Sequence, residues 1–388
     1  MYIKSLKLQN FRNYADESFA FDPAVNLICG ENGQGKTNLL EAAAACSTMR
    51  LFRTAQKKEG LRFGENHAFI FADFLAQERD ISLELRFSRT KAMEIYKNGV
   101  RQKRQSDAQG LLKTVLFCPE DLMLVRAGAA GASPVFRPPP SCGRAGAAAR
   151  RRFLDTALCQ MRPNYARYLE EYNRLHEHKT RILRDSEEKP SLLSMWEDFS
   201  LRMAHIGAQI IRYRAYYCRK LLKAAAAVYA DIAPHEVLSG VYKTVSSVTD
   251  PFADARTIEK QLIDHVFSHK TAEIAAKSCL SGPHKDDLEL LLDSRSAASF
   301  GSQGQVRTCT LSLKLAEREL FFDEDGEYPV LLLDDVLSEL DRRRQDFVLN
   351  RISAGQVMIT CCEDGISEKL RAGAVFHIQN GEKSAETH

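Results

Sequence analysis

The sequence predicts an α/β fold in which a mixed β-sheet with flanking helices is interrupted by a mainly α-helical lobe. Strand-like segments alternate with helices over residues 1–117, and the same alternation returns over 281–388. The stretch between them, 118–280, has helical periodicity almost throughout. We therefore expect one lobe made of 1–117 together with 281–388, and a second, helical lobe made of 118–280.

The strands expected in the first lobe are short and apolar, which is typical of a buried sheet. A helix is predicted to start near Lys36, directly after one of them. The predicted strands lie at 3–8, 25–29, 81–87, 288–292, 330–333 and 356–360.

The expected helical lobe contains a pair of amphipathic stretches. From Leu192 to Leu221, apolar residues recur at steps of three and four. An earlier stretch, 165–182, carries the same kind of stripe, and a Ser-Glu-Glu-Lys-Pro turn at 186–190 separates the two. This pattern predicts two antiparallel helices packed together as a short arm.

One segment of the second lobe does not fit that pattern. Between residues 127 and 149, 16 of 23 residues are Ala, Gly or Pro, and the pentapeptide RAGAA occurs at 126–130 and again at 144–148. Such a composition offers too little apolar surface to offset the entropy of ordering, so we predict a disordered insertion at 127–149. A natural arginine-rich loop that touches DNA remains the alternative.

The overall composition is that of a soluble cytoplasmic protein. Hydrophobic residues make up 44% and charged residues 27% of the 388 residues, and no apolar run approaches the roughly 20 residues of a membrane span. Ten cysteines occur without a C-x-x-C pair, which favours reduced thiols over zinc or disulfides. A net charge of +3 implies that any surface for an anionic partner is local.

The strongest motif is a P-loop. The apolar run 25–29 is followed by Gly30-Glu31-Asn32-Gly33-Gln34-Gly35-Lys36-Thr37 and then by Asn38, within the helix predicted to start near Lys36. The glycines allow backbone N–H groups to surround a phosphate, and the helix N-terminus adds its positive dipole end. Lys36 is predicted to reach the β- and γ-phosphates of ATP, and the Thr37 hydroxyl to bind Mg²⁺.

A P-loop ATPase also needs an acidic residue after an apolar strand. The run 330–333 ends at Asp334 and Asp335. We predict that Asp334 holds Mg²⁺ and that Asp335 is catalytic, because a carboxylate there can orient or deprotonate the attacking water.

A third motif lies between these two and indicates the class of ATPase. Residues 299–305, Ser-Phe-Gly-Ser-Gln-Gly-Gln, open an amphipathic helix and resemble the ABC signature, with Ser302, Gly304 and Gln305 as candidate nucleotide contacts. Residues 338–341, Ser-Glu-Leu-Asp, resemble the D-loop. The ordered set resembles an ABC-type ATPase head, in which the signature contacts the γ-phosphate held by the other subunit.

Within the ABC superfamily, further segments resemble the RecF family. Only 127–149 lacks a counterpart in that pattern. The segments that match are 6–14 (LKLQNFRNY), 35–42 (GKTNLLEA), 52–54 (FRT), 119–122 (PEDL), 150–155 (RRRFLD), 282–288 (GPHKDDL) and 332–336 (LLDDV).

The resemblance implies a function in DNA repair, replication and recombination, including the SOS response. It implies a homodimer closed by ATP that holds DNA, either duplex or a junction of single strand and duplex, and that works with RecO and RecR in loading recombinase. ABC transporters usually carry Glu where this chain has Asp335, and His where it has Thr360. These departures indicate a weak, slow ATPase.

Candidate DNA contacts are basic residues close to the P-loop in sequence, with few aromatics among them, which suits phosphate contact. They are Lys4, Lys7, Arg12, Arg53, Lys57, Lys58 and Arg62. Two other functions remain open: the motor subunit of an ABC transporter, and a DNA-binding scaffold that binds ATP without turnover.

Overall fold

The computed structural model describes residues 1–54, 56–126, 141–352, 354–362 and 373–383, except for the side chains of Lys57, 141–145 and Glu339. The chain forms two compact units, one of Met1–Asp121 with Lys314–His388 and one of Leu122–Leu313. The first boundary is close to the expected one. The second lies well after the predicted residue 281, because residues 287–292 pair with 238–243 and so belong to the second unit.

The strands of the described ranges are β1 (Tyr2–Phe11), β2 (Tyr14–Ala20), β3 (Val25–Cys29), β4 (His67–Ala76), β5 (Arg79–Ser88), β6 (Glu94–Lys97), β7 (Val100–Arg101), β8 (Thr114–Phe117), β9 (Leu238–Lys243), β10 (Asp287–Leu292), β11 (Arg295–Ser296), β12 (Val330–Leu333), β13 (Val357–Cys361), β14 (Ala374–Gln379) and β15 (Glu382–Lys383). The α-helices are α1 (Lys36–Thr48), α2 (Met123–Arg126), α3 (Ser141–Met161), α4 (Pro163–Asp185), α5 (Trp196–Ile232), α6 (Ala255–Ser268), α7 (Lys270–Ala276), α8 (Ala297–Phe300), α9 (Gln303–Asp325) and α10 (Arg342–Arg351). Short 3₁₀ helices lie at Lys57–Gly60, Gln105–Asp107, Pro119–Leu122, Pro190–Met195, Pro283–Lys285 and Leu337–Glu339.

The first unit contains two six-stranded sheets. One is antiparallel, in the order β2-β1-β4-β5-β6-β7. The other has the order β15-β14-β3-β13-β12-β8, and its strands from β14 to β8 are parallel. This mixed α/β architecture agrees with the predicted ATPase-head fold, and it gathers the carboxyl ends of β3, β12 and β13 at one edge.

Helix α1 packs in a single buried cluster with both sheets. Its Leu39 and Ala43 are fully buried in the cluster that also contains Leu6 of β1 and Met358 of β13. The alanine run 42–45 is buried as well, and such small side chains let the sheets approach the helix closely. The helix that follows the P-loop is therefore fixed by the core of the unit.

The second unit is mainly helical, as predicted, with a small sheet in the order β11-β10-β9. The rings of Tyr165 in α4 and Tyr213 in α5 lie 5.6 Å apart, and Lys179 lies 4.8 Å from the ring of Trp196. The start of α4 thus meets the middle of α5, while the later part of α4 meets the start of α5. The predicted antiparallel pair is confirmed for these two helices.

The predicted disordered insertion is wrong for residues 141–149, which form the first two turns of α3. The reason is that alanine is the best helix former, and the run 147–149 leads directly into a helix held by Arg150. Arg150 makes a two-pronged ion pair with Asp287, at 2.6 and 2.8 Å. Residues 127–140 lie outside the described residues, and so does most of the predicted insertion. No helix in the described part of the chain is long and apolar enough to cross a membrane.

Candidate nucleotide site

The P-loop connects β3 to α1, in the strand–loop–helix order that the sequence predicts. Gly30, Gly33 and Gly35 have φ values of 147°, 82° and 122°, a region that favours glycine. A Cβ atom on Gly30 would lie 2.4 Å from the carbonyl oxygen of Ile378. Glycine at this position is therefore required by the neighbouring strand β14 as well as by the backbone conformation.

Two segments that are distant in sequence support the P-loop. The Asn13 side chain donates to the Gln34 carbonyl at 2.8 Å, and the Tyr14 hydroxyl donates to the Gly35 carbonyl at 2.9 Å. From the turn between β14 and β15, the backbone N–H of Gly381 also donates to the Gln34 carbonyl, at 2.9 Å. Sequence reasoning assigned no role to these supporting residues, since nothing local to the P-loop points to them.

Lys36 is almost fully buried at the base of the loop. Its ammonium donates to the carbonyl oxygens of Gly30 and Glu31, at 2.5 and 3.0 Å, and to the Cys362 sulfur at 3.4 Å. The Cys362 thiol also lies 3.1 Å from the side-chain oxygen of Asn32. Cys362 is therefore a further neighbour of the predicted phosphate contacts.

The predicted metal ligands lie next to each other. The Thr37 hydroxyl donates to Asp334 Oδ1 at 2.9 Å, and the Thr360 hydroxyl donates to the same oxygen at 3.1 Å. The backbone N–H of Asp335 in turn donates to the Thr360 hydroxyl, at 2.8 Å. Thr360, at the end of β13, therefore connects both acidic residues that follow β12.

Asp335 has a left-handed backbone, with a φ of 53°. This conformation is uncommon for residues other than glycine, and Asp and Asn tolerate it best. The Ser338 hydroxyl contacts the Asp335 carbonyl at 2.7 Å and its carboxylate at 3.0 Å. The start of the predicted D-loop thus fixes the side chain that we expect to orient water.

The oxygen donors at this edge fit a magnesium ion. Burial raises the pKa of Asp334, the hydrogen bonds from Thr37 and Thr360 lower it, and the negative charge of Glu120 raises it again. Among the described residues, no three His, Cys, Asp or Glu side chains are placed to hold a metal. Thr37 and Asp334 would therefore share Mg²⁺ with phosphate oxygens and water, as this ion commonly does.

Sequence reasoning did not single out Glu120 as part of this site. It follows β8, and β8 pairs with β12 so that Phe117 lies opposite Leu333. The backbone N–H of Asp334 donates to the Phe117 carbonyl at 2.9 Å. The parallel pairing therefore brings Glu120, an exposed acid, to the same sheet edge as Asp334.

The signature residues lie in the second unit, at the N-terminus of α9. The Gln305 side chain accepts from the Ser302 N–H at 2.8 Å, and the Ser302 hydroxyl accepts from the Gln305 N–H at 3.3 Å. These two contacts form a capping box. The Gln305 amide also donates to Glu236 at 3.0 Å. Ser302 is exposed, whereas Gly304 and Gln305 are half-buried.

Three of the candidate DNA contacts have acidic neighbours. Lys4 pairs with Asp80 and Lys7 with Asp16, and all four side chains are exposed. Arg12 instead makes a two-pronged ion pair with the fully buried Glu41, at 2.8 and 3.2 Å.

Of the remaining candidates, Arg53, Lys58 and Arg62 are exposed, and the Lys57 side chain lies outside the described residues. Arg53 donates to Asn38 at 3.1 Å. A polar, open cavity of about 420 Å³ lies beside this contact. It is lined by Arg12, Asn13, Asn38, Arg53, Glu59 and Leu61.

Comparison with known proteins identifies the family. A family model described as the RecF/RecN/SMC N terminal domain matches residues 2–384. The DNA replication and repair protein RecF of Clostridium tetani is 34% identical over 387 residues, covering 98% of this chain and 99% of that protein. RecF of Lactobacillus johnsonii is 36% identical over 386 residues, covering 98% of each.

Solved structures agree with the sequence relatives. The recombination mediator protein RecF-ATP of the RecFOR pathway has a TM-score of 0.87 and 30% identity, covering 99% of this chain and 98% of the other. An Smc head domain from Pyrococcus furiosus, at 14% identity and a TM-score of 0.52, shares the fold. The alternative of a transporter motor is not supported by these relatives. The chain belongs to the RecF family of DNA replication and repair proteins.

Proposed function

We propose that this protein binds ATP with Mg²⁺ and, as a homodimer closed by ATP, holds DNA at gaps during recombinational repair and replication. The observation that carries the proposal is the hydrogen bond between Thr37 and Asp334, which joins the P-loop helix to the acidic strand end. Such a pair is what a P-loop ATPase uses to place its metal beside the β- and γ-phosphates. We expect such a protein to act in the cytoplasm.

Within the site, Lys36 would neutralise the β- and γ-phosphates, and Thr37 with Asp334 would hold Mg²⁺, which stabilises the charge that develops on the phosphates. The cavity beside Asn38 suits the nucleoside, because Asn38 directly follows the P-loop. The proposed nucleotide contacts are Gly30, Glu31, Asn32, Gly33, Gln34, Gly35, Lys36, Thr37 and Asn38, together with Ser302, Gly304 and Gln305 of a second copy.

Asp335 is the proposed catalytic carboxylate. Its side chain is held by Ser338 and its backbone by Thr360, which fixes the direction in which the carboxylate points. A fixed carboxylate can orient a water molecule for attack on the γ-phosphate. Asp is shorter than Glu, and this supports slow turnover, as expected of a clamp that holds DNA for a limited time.

The exposed Ser302 supports the dimer. An exposed hydroxyl at the N-terminus of a 23-residue helix is suited to an anion such as a γ-phosphate. The solved relative is described as a mediator in the RecFOR pathway, which supports RecO and RecR as partners. Lys4, Lys7, Arg53, Lys57, Lys58 and Arg62 remain the proposed DNA contacts, whereas the buried partner of Arg12 favours an internal function for that residue.

The test measures dimerisation by sedimentation velocity. Each sample is run with and without ATP, and in the presence and absence of a gapped duplex. The expected result is an ATP-dependent dimer that DNA stabilises and that Lys36→Ala abolishes. ATP turnover that depends on Lys36 would exclude the alternative function, a DNA-binding scaffold that binds ATP without hydrolysing it. A chain that stays monomeric in every condition would overturn the proposal.

A further inference from the structure

Phe63 is the most exposed large hydrophobic side chain of the described residues. It lies between Arg62 and Gly64 in the turn that leads into β4, and its side chain is fully exposed to solvent. An aromatic ring loses favourable free energy when it is kept in water, and stacking against another ring would recover part of it.

The turn that carries Phe63 is fixed by hydrogen bonds. The N–H of Glu65 donates to the Arg62 carbonyl at 3.0 Å, and the N–H of Arg62 donates to the Asn10 carbonyl at 2.8 Å. Gly64, with a φ of 88°, has the conformation that the second central residue of a type II turn requires. The first central residue of the turn is Phe63, so its ring is held outward by a defined backbone.

Basic side chains surround this turn. Arg62 is exposed next to the ring, and Lys58 is exposed in the preceding 3₁₀ helix. On the other side, the exposed Arg89 donates to the Glu65 carbonyl at 3.2 Å. The acids of residues 58–65 are Glu59 and the half-buried Glu65.

We propose that Phe63 stacks on an unpaired or terminal base at the edge of a DNA gap, while Arg62, Lys58 and Arg89 contact the flanking phosphates. Proteins that bind single-stranded nucleic acid combine aromatic rings, on which bases stack, with cations that contact the phosphates. A continuous duplex offers no base face to a side chain at its surface, whereas a gap edge does. The inference rests on the proposed DNA binding and assigns recognition of the gap edge to one side chain and its basic neighbours.

The experiment uses Phe63→Trp in the full chain as a fluorescent reporter. The protein has one tryptophan, the fully buried Trp196, so a new signal from position 63 is separable from a constant background. Stacking on a base quenches tryptophan. We expect quenching by a gapped circular duplex and little by a continuous, covalently closed circular duplex of equal length, which has no ends. The control is Val241→Trp, an exposed position opposite Glu289 in the pair of β9 and β10, which should not respond.

Binding measurements with three further variants complete the test. Phe63→Ala should weaken binding to gapped DNA about tenfold and to the continuous duplex less than twofold. Phe63→Tyr should retain the preference, and Phe63→Leu should lose it. If Phe63→Leu retains the preference for gapped DNA as well as Phe63→Tyr does, no aromatic stacking is involved and the inference is wrong. If self-association without DNA quenches the Phe63→Trp reporter, the side chain contacts protein and the inference is also wrong. If the unaltered protein binds neither DNA, the proposed function fails instead.

Discussion

The P-loop and the signature segment are both glycine-containing turns that precede a helix, but the chain supports them in different ways. The P-loop is held by the hairpin of β1 and β2, by the turn after β14, and by the acidic end of β12 through Thr37. The described contacts of Ser302 and Gln305 come from their own helix and from Glu236. One glycine-containing turn is built into a core, and the other is presented at the surface.

The difference in support suits two different tasks, holding a ligand and meeting another molecule. A site that must hold a charged ligand in one geometry benefits from fixed donors, because no reorganisation is needed when the ligand binds. A surface that must meet another molecule benefits from exposure and from a cap that keeps the helix end intact. We therefore expect substitutions at the two turns to fail in different assays.

The largest expected effect is that of Lys36→Ala. Removing the buried ammonium should lower ATP turnover at least a hundredfold, because charge-assisted contacts to the phosphates are lost. The matched control is Cys362→Ser, which alters a neighbour of Lys36 and should change turnover less than threefold. Turnover of Lys36→Ala close to the parental rate would show that the P-loop is not the site of hydrolysis.

Asp335→Asn should slow hydrolysis about a hundredfold and leave ATP binding intact. Asn keeps the size of the side chain and tolerates the left-handed backbone at this position, so the fold should not change. The ATP-bound dimer should then accumulate in sedimentation experiments. Parental hydrolysis rates in this variant would mean that another group, such as Glu120, orients the water.

Mixing two inactive variants tests whether the signature acts across the dimer. Lys36→Ala and Ser302→Arg should each inactivate both sites of their own homodimer, whereas a mixed dimer contains one site with an intact P-loop and an intact Ser302. Activity should return to at most about a quarter of the parental level, if pairing is random and the sites are independent. No recovery, with mixed dimers shown to form, would mean that the signature does not act in trans.

Glu317 lies in the part of α9 that belongs to the first unit and is buried, unlike the signature at the start of the same helix. Burial raises its pKa from 4.5 to about 7. Between these values the folded state keeps a proton that the unfolded state releases, so the free energy of unfolding should fall as pH rises from about 4.5 to 7.

Glu317→Gln should remove that slope and be more stable than the parent at pH 8, by about 3 kcal/mol. The Lys314 ammonium lies 3.8 Å from the Glu317 carboxylate and 3.1 Å from the Asp121 carboxylate. Lys314 therefore keeps an acidic partner when Glu317 is replaced. Urea unfolding at pH 5 and pH 8 measures the effect. If the free energy of unfolding changes with pH in the same way in the parent and the variant, the prediction is contradicted.

The smallest expected effects come from a matched pair of variants. Tyr14→Phe removes one hydrogen bond to the P-loop and should cost about 1 kcal/mol of stability. Ser302→Ala removes the helix cap and should cost about the same. We expect Tyr14→Phe to weaken ATP binding in the monomer a few-fold, and Ser302→Ala to weaken only dimerisation. The reverse pattern would contradict the distinction between the two turns.

Sequence predicted the parts of the site that are contiguous, namely the P-loop, Asp334 with Asp335, and the signature at a helix start. It did not find Asn13, Tyr14, Gly381 or Glu120. These residues reach the site only through the pairing order of two sheets, which no local pattern encodes. The error at 141–149 has a different cause, because an alanine-rich composition is typical of low complexity and of helix alike.

The position of β3 in its sheet has a consequence for how the protein is made. This strand, which leads into the P-loop, lies between β13 and β14, so both of its neighbours come from residues 357–379. A ribosome has synthesised more than 300 further residues before either neighbour exists. The second unit can fold in the meantime, whereas the P-loop strand must wait for its partners, and such long-range closure is slow. ATP-binding competence should therefore be among the last properties that a nascent chain acquires.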